Sequence, residues 1–288
     1  NIITGHGAVC CRELTRHPKV ARVAFTGGPA AAAQVIKNSA ENFAEVSLEL
    51  GGKSPIIVFD DANIESAVNG AIAGIFAASG QSCVAGSRLY LHDDIADDFL
   101  ARMLNIARGI VIGDPQDDAT EMGPLCTLGQ IEHIERQVTL AIEEGGRLLC
   151  GGRRLARPGL FFEPTIIECP RQDMTIVDTE LFGPVLAVQR FRTESEVLAL
   201  ANDTKHGLAA GLFTRDGARQ LRLAKALKSG MVWVDTYRMI SPIAEFGGVK
   251  TSGHGREAGL QAMYDYTRAK TIWVNLSDDP IANPFQPR

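Results

Sequence analysis

Apolar residues in the first fifty positions follow strand and helix patterns in turn. Short runs rich in β-branched residues predict strands at residues 1–4, 20–26 and 44–50. The stretches between them, the second rich in alanine, predict helices that end near His17 and Asn42. This strand–helix–strand alternation is typical of part of a doubly wound parallel sheet.

The alternation continues beyond Pro55, where residues 56–59 are all apolar, as in a strand buried on both faces of a parallel sheet. Further predicted helices lie at 63–79, 95–109, 127–144, 194–202 and 218–227. Further predicted strands lie at 88–92, 147–150, 163–169, 185–191, 209–213, 231–235 and 268–275. The sequence therefore predicts an α/β fold, closed by a polar, proline-containing tail at 277–288.

A lone cysteine stands on a glycine-flanked loop between the helix at 63–79 and the strand at 88–92. The loop reads Gly-Gln-Ser-Cys-Val-Ala-Gly, with Cys83 at its centre. A rigid scaffold can present such a side chain to a cleft as a nucleophile. The alternative is a buried, inert cysteine, which is the common fate of this residue type.

A carboxylate, Glu49, lies inside an apolar strand and precedes the pair Gly51-Gly52. A buried carboxylate without a partner is costly, so its pKa should rise toward neutrality. A carboxylate with such a pKa suits a general base. Together, Cys83 and Glu49 predict a nucleophile and its base.

Composition and charge exclude several other classes of protein. The 288 residues carry a net charge of −5 without a long basic run, which argues against nucleic-acid binding. No apolar stretch is long enough to span a bilayer, and we expect no membrane partner. The six cysteines form no C-x-x-C pair and no disulfide-like framework, which favours a reduced, cytoplasmic setting. The six histidines lack ligand spacing, so no metal is expected.

Five segments make the chain resemble the NAD(P)-dependent aldehyde dehydrogenase superfamily, in family order and at family spacing. They are FTGG (25–28), LELGGKSP (48–55), GQSCVAGSR (80–88), ELFGPV (180–185) and EFGGVKTSGHGRE (245–257). The resemblance implies an aldehyde-dehydrogenase-like fold of doubly wound parallel sheets. It divides the chain into the C-terminal part of a dinucleotide-binding domain (1–51), a complete catalytic domain (52–251), and a return segment with an oligomerisation strand and tail (252–288).

The resemblance also implies the reaction, which is oxidation of an aldehyde to a carboxylic acid with NAD or NADP. Cys83 would form a thiohemiacetal and then a thioester, and Glu49 would activate the water that hydrolyses it. Superfamily members that pass the acyl group to coenzyme A generally lack this glutamate, so Glu49 favours hydrolysis. The first part of the cofactor domain, with an asparagine that helps to bind the oxyanion, is expected to precede residue 1.

Further site residues follow from the same resemblance. The implied cofactor contacts are Gly27, Gly28, Leu50, Gln130, Glu180 and Phe182. Glycines before a helix let backbone N–H groups approach a pyrophosphate, although an ordinary strand–helix turn has the same pattern. Glu180 can accept hydrogen bonds from ribose hydroxyls, and the ring of Phe182 can pack on the nicotinamide, although Phe182 is also a typical core residue.

The loop at 236–245 is expected to form a wall of the aldehyde pocket, with Arg238, Ile240 and the adjacent Phe246 as its candidate residues. Arg238 either receives an anionic group of the aldehyde or is a surface or interface arginine. The resemblance implies that the strand at 268–275 joins sheets between the subunits of a homo-oligomer, either a dimer or a tetramer.

Two other functions stay open at this point. The chain could be a non-catalytic fragment or structural protein that retains the catalytic lobe without a working cofactor site. It could also be a thiol esterase that uses Cys83 and Glu49 without a cofactor. Without the oxyanion asparagine, residues 1–288 alone are expected to turn over aldehyde poorly.

Overall fold

Two β-sheets organise the chain, one of three strands and one of seven. The computed structural model describes residues 1–286, so the last two residues of the predicted tail lie outside the described part. The strands are β1 Arg22–Thr26, β2 Glu45–Glu49, β3 Pro55–Val58, β4 Arg88–His92, β5 Arg147–Cys150, β6 Thr165–Glu168, β7 Val185–Phe191, β8 Ala209–Phe213, β9 Met231–Val234 and β10 Gly253–His254. The helices are α1 Gly7–Thr15, α2 Pro29–Ser39, α3 Ile64–Phe76, α4 Ala96–Gly109, α5 Leu128–Glu143, α6 Thr175–Asp178, α7 Glu194–Asn202, α8 Gly217–Ala226 and α9 Gly259–Asp265. Short 3₁₀ turns lie at Ala77–Gly80, Asp93–Ile95 and Lys250–Ser252.

The seven-stranded sheet has the order β5-β6-β7-β4-β3-β8-β9, and its strands run parallel except for the antiparallel pair β5–β6. All four residues of β3 are buried at the centre. Successive side chains of a strand point to opposite faces. Accordingly, Ile56 and Val58 pack with α3 and α4 on one face, whereas Ile57 packs with α7 and α8 on the other. The predicted α/β fold with parallel sheets is confirmed.

The three-stranded sheet has the order β1-β2-β10. Strands β1 and β2 are parallel, and β10 returns antiparallel to β2, with Gly253 opposite Glu49. Gly253 has φ +117°, and a Cβ there would lie 2.0 Å from the carbonyl oxygen of Leu48. Glycine therefore lets β10 close onto the strand that carries Glu49.

Several predicted boundaries are wrong. Residues 1–4 and 268–275 form no strand in the described chain, and their large apolar side chains, such as Ile2 and Trp273, are exposed. A strand needs hydrogen-bonding partners along a ladder, and a suitable pattern alone does not supply them. The helix predicted to Ser79 ends at Phe76. The elements α6, β10 and α9 are too short for periodicity to reveal.

Among residues 1–286, no helix combines the length and the apolar character needed to cross a bilayer.

Candidate active site

Strands β1 and β2 end side by side, with Thr26 paired to Glu49. A cavity of about 700 Å³ opens beyond these two strand ends. Ligand sites in parallel sheets typically lie beyond the carboxyl ends of the strands. The lining residues are Thr26, Gly27, Gly28, Glu49, Leu50, Gly51, Gln81, Ser82, Cys83, Gln130, His133, Glu180 and Phe182. The structure thus brings together every residue predicted as catalytic or cofactor-binding.

The chain reaches Cys83 through a strained turn at the end of α3. Ala78 and Ser79 have φ values of 54° and 55°, in the left-handed region that non-glycine residues rarely adopt. The hydroxyl of Ser79 donates to the carbonyl oxygen of Gly123 at 2.8 Å. Such strain persists only where the surrounding structure fixes it, and it is common at functional sites.

Gly80 completes this turn with φ +70°, and a Cβ there would lie 2.1 Å from the carbonyl oxygen of Gly183. The side chain of Gln81 accepts a hydrogen bond from the backbone N–H of Cys126 at 2.9 Å. The backbone N–H of Ala85 donates to the carbonyl oxygen of Ser82 at 3.0 Å. These contacts on both sides of Cys83 hold its loop against neighbouring segments.

Cys83 is half-buried and free of any disulfide. Burial raises the pKa of its thiol above the ordinary value, and the carboxylates of Glu180 and Glu49 raise it further. Hydrogen bonds from the backbone N–H groups of Val84 and Cys83 itself lower the pKa and oppose part of this rise. The thiol is therefore mainly protonated at neutral pH, and a proton acceptor is needed to form the thiolate.

Glu49 is only 5% exposed, and within residues 1–286 neither carboxylate oxygen has a hydrogen-bond partner. Burial raises its pKa to about 7, the charge of Glu257 adds to the rise, and Arg256 opposes it. A carboxylate that gains and loses its proton near neutrality can act as a general base. Sequence reasoning predicted the raised pKa of Glu49 but missed Glu257 and Arg256, which lie more than two hundred positions away.

Glu180 enters the cavity from the loop before β7. Its Oε1 accepts a hydrogen bond from the backbone N–H of Gly52 at 3.1 Å. Gly51 leaves room for this carboxylate, because a Cβ there would lie 1.7 Å from Oε2. Burial raises the pKa of Glu180, while the Gly52 hydrogen bond and the charge of buried Lys53 lower it. One oxygen is thus anchored, and the other faces Gly51.

Phe182 has φ +49°, and its side chain is 41% exposed rather than in the core. The side-chain amide of Gln130 donates to the carbonyl oxygen of Leu181 and so ties α5 to this loop. His133, one turn further along α5, also lines the cavity. Sequence reasoning missed His133, although its i+3 spacing from Gln130 places both on one helix face.

The predicted aldehyde-pocket residues do not line this cavity. Arg238 donates to the carbonyl oxygens of Ala73 and Ala77 at 3.2 and 3.4 Å, near the C-terminal end of α3. Ile240 is 65% exposed, and Phe246 packs on the apolar cluster that contacts Cys83. Both bonds use Nη1 of the guanidinium, and the role of Arg238 as the receptor of an anionic group stays a prediction.

The residues at the mouth of the cavity fit a dinucleotide cofactor. Gly28 is the N-cap of α2, it supplies no side-chain cap, and a Cβ there would meet nothing within 4 Å. The first backbone N–H groups of such a helix need partners, and a phosphate can provide them. Glu180 offers an acceptor for ribose hydroxyls, and Phe182 offers an exposed ring face.

Within residues 1–286, one group has the composition of a metal site, formed by Asp60, His92 and Asp94, whose ligand atoms lie within 4.8 Å of one another. None of the three lines the cavity. The backbone N–H of Asp94 already donates to Nδ1 of His92 at 3.4 Å. This group therefore does not contribute to the candidate active site.

Comparison with known proteins gives consistent matches over almost the whole chain. The aldehyde dehydrogenase family model matches residues 1–272. The chain is 52% identical over 286 residues to a (Z)-2-((N-methylformamido)methylene)-5-hydroxybutyrolactone dehydrogenase of Acinetobacter baylyi, covering 99% of this chain and 59% of that protein. It is 42% identical to a betaine aldehyde dehydrogenase of Cereibacter sphaeroides, covering 99% of this chain and 58% of that protein.

Solved structures agree with these sequence matches. A crystal structure of PnpE in complex with nicotinamide adenine dinucleotide superposes with a TM-score of 0.94 at 44% identity, covering 98% of this chain and 58% of that one. A betaine aldehyde dehydrogenase variant from Staphylococcus aureus, in complex with NAD⁺, gives 0.93 at 39% identity, covering 97% and 58%. The chain therefore spans less than two thirds of the length of the relatives it matches.

Proposed function

Because the chain belongs to the aldehyde dehydrogenase family, we propose that the protein oxidises an aldehyde to a carboxylic acid with NAD or NADP. The observation that carries this proposal is the single cavity that holds Cys83, Glu49, Glu180 and Phe182. A thiol, a carboxylate of nearly neutral pKa and a ribose acceptor are the groups that this reaction needs. The proposal concerns the whole protein, because the chain covers about 58% of its relatives.

In the first step, Cys83 loses its proton and its sulfur attacks the aldehyde carbon, which gives a thiohemiacetal. The proton leaves to water, so that Glu49, whose pKa is about 7, stays free to act in the later hydrolysis step. The negative charge that develops on the aldehyde oxygen needs fixed donors, and the backbone N–H of Cys83 is the candidate that this chain supplies.

When bound, the nicotinamide ring supplies the hydride acceptor. Glu180 would hold the adjoining ribose through its free oxygen, and Phe182 would orient the ring by packing against it. Gly27 and Gly28 would leave the N-terminus of α2 open to the pyrophosphate. The NAD complexes of PnpE and of the Staphylococcus aureus relative support NAD as the first cofactor to test.

Loss of hydride leaves an acyl group on the sulfur of Cys83 as a thioester. Glu49 then takes a proton from water, the hydroxide adds to the thioester carbon, and the carbon–sulfur bond breaks. The products are the carboxylic acid and the thiolate of Cys83, which completes the cycle. The burial of Glu49 suits this role, because it raises the pKa of the carboxyl group to about 7, with Glu257 adding to the rise and Arg256 opposing it.

The names of the two curated relatives favour a small polar aldehyde as substrate. The six free cysteines support a reducing, cytoplasmic location. The exposed apolar side chains of Ile272, Trp273 and Val274 support a homo-oligomer, since such segments on soluble proteins commonly meet a partner.

The test is a pre-steady-state measurement of NADH on the full-length protein carrying Glu49→Gln. We expect a rapid burst of about one NADH per site, followed by a steady rate at least about a hundredfold below that of the wild type. Glu45→Gln is the matched control, because Glu45 lies on the same strand but is exposed. Equal slowing of burst and steady state would show that Glu49 acts before hydride transfer, and absence of NADH in the wild type would reject the dehydrogenase.

A further inference from the structure

The side chain of Tyr237 reaches the loop of Cys83 from a distant part of the chain. Its hydroxyl donates to the carbonyl oxygen of Val84 at 2.9 Å. Val84 directly follows the nucleophile and is buried. Burial also raises the pKa of Tyr237 above its ordinary value, so the phenol stays protonated and remains a donor. A buried carbonyl group next to the thiol thus has a defined partner.

The ring of Tyr237 occupies a space that three glycines leave free. A Cβ at Gly74, Gly86 or Gly211 would lie 3.1, 3.3 or 2.7 Å from ring atoms of Tyr237. Contacts closer than about 3.4 Å are unfavourable, so any larger residue would displace the ring. The three glycines belong to α3, to the loop after Cys83 and to β8, so separate elements enclose this one side chain.

A second aromatic side chain fixes the ring from another side. Trp233 meets Tyr237 edge to face, with 4.8 Å between ring centroids. The indole N–H of Trp233 donates to the carbonyl oxygen of Met239 at 2.8 Å. Neither ring can rotate freely, and the hydroxyl of Tyr237 is therefore held at a constant position relative to the core.

Val84 connects Tyr237 to the thiol. Its carbonyl group accepts from Tyr237, and it directly follows Cys83 in the chain. The planar peptide unit that contains this carbonyl group also contains the backbone N–H of Ala85, which donates to the carbonyl oxygen of Ser82 at 3.0 Å and so closes the turn around Cys83. A donor that fixes the carbonyl group also limits the directions available to the N–H.

We propose that Tyr237 is a positioning residue for the nucleophile, whose hydroxyl holds the carbonyl group of Val84 and thereby fixes the turn from Ser82 to Ala85 that carries Cys83. The inference rests on the proposed role of Cys83. Tyr237 does not line the cavity, and it acts through the loop that carries the thiol.

The test is the rate of alkylation of Cys83 by iodoacetamide as a function of pH in the intact protein, followed by mass spectrometry of the peptide that contains Cys83. In Tyr237→Phe we expect alkylation about fivefold slower near neutral pH, since one hydrogen bond contributes about 1 kcal/mol. The profile should be displaced to higher pH, because the backbone hydrogen bonds of this loop lower the pKa of Cys83. Hydrogen exchange in residues 80–88 should become faster in the same variant.

Tyr90→Phe is the matched control. Tyr90 is fully buried, and its hydroxyl also contacts a backbone carbonyl group, that of Leu200 at 3.3 Å, but its hydrogen bonds do not reach the residues next to Cys83. Thermal unfolding should show a similar loss of stability in both variants, whereas the alkylation profile should move only in Tyr237→Phe.

An unchanged alkylation profile in Tyr237→Phe, or an equal displacement in both variants, would overturn the proposal. Alkylation requires neither aldehyde nor nucleotide, so the result does not depend on the dehydrogenase activity. Persistence of aldehyde oxidation in Cys83→Ala would instead reject the nucleophile, and would leave the alkylation result as a statement about the loop alone.

Discussion

The thiol and the carboxylate of the candidate site lie on two very different parts of the molecule. Cys83 belongs to the seven-stranded sheet, whose central strands β3 and β8 are buried at every residue. Glu49 ends the middle strand of the three-stranded sheet, where β1 is exposed or half-buried throughout and β2 is buried only in its second half. The candidate nucleophile therefore lies next to a large buried core, whereas the candidate base lies in a sheet of which much is exposed or half-buried.

This difference bears on how each group is tuned. The loop of Cys83 carries strained residues, Ala78 and Ser79, which only a surrounding of many fixed contacts can maintain. The carboxylate of Glu49 has no hydrogen bond among residues 1–286, and its pKa depends mainly on exclusion of water. Burial is the largest cause of the raised pKa in both groups, but backbone hydrogen bonds oppose it at the thiol, whereas the carboxylate has no hydrogen bond in residues 1–286.

The largest effect should come from removing the thiol of Cys83. Cys83→Ala should reduce aldehyde oxidation by at least about a thousandfold, because the covalent route is lost. Cys150→Ala is the control, since Cys150 is also half-buried but lies outside the cavity, and it should retain nearly full activity. Steady-state NADH formation by full-length protein measures both, and substantial activity in Cys83→Ala would contradict the assignment.

The packing of the two sheets can be compared by truncating one side chain in each of them. Ile57→Ala, at a fully buried position of β3, should lower the free energy of unfolding by about 2–5 kcal/mol. Val23→Ala, at a half-buried position of β1, should lower it by about 1 kcal/mol. Urea denaturation of the 288-residue chain provides the measurement, and equal losses would show that the three-stranded sheet is as well packed as the larger one.

The burial of Glu49 should appear as a pH dependence of stability. Its pKa is about 7 in the folded state against an ordinary value of 4.5, so the folded state holds the proton more tightly. The contribution of this proton to the free energy of unfolding is fully present below pH 4.5 and is lost as the pH rises through 7.

Glu49→Gln lacks this titration. Between pH 4.5 and pH 8, the wild type should therefore lose up to about 3 kcal/mol relative to the variant, since one pKa unit corresponds to about 1.4 kcal/mol. Thermal unfolding at both pH values tests the expectation, with Glu45→Gln behaving like the wild type. Parallel pH profiles of Glu49→Gln and the wild type would mean that Glu49 is not buried in the way described.

Local patterns were sufficient for most of the core. The all-apolar run at 56–59 predicted a central buried strand, and β3 covers most of that run. A strand that is covered on both faces carries apolar side chains on both sides, so its sequence does not alternate between apolar and polar residues. Patterns failed at 1–4 and 268–275, where β-like residues lie exposed without a ladder. A strand is a property of two segments, and one segment cannot specify its partner.

The sequence by itself determined which groups are candidates for the reaction, since neighbouring residues place Cys83 on a glycine-flanked loop and Glu49 in an apolar strand. Only the tertiary structure decided their surroundings: His133 in the cavity, Glu257 near the carboxylate, Tyr237 on the carbonyl group of Val84, and Arg238 at the end of α3 instead of lining the cavity. The physical reason is the separation along the chain over which each kind of interaction acts. Propensity and burial pattern act over a few residues, whereas a pKa or a hydrogen bond depends on whichever distant segment the fold brings within a few ångströms.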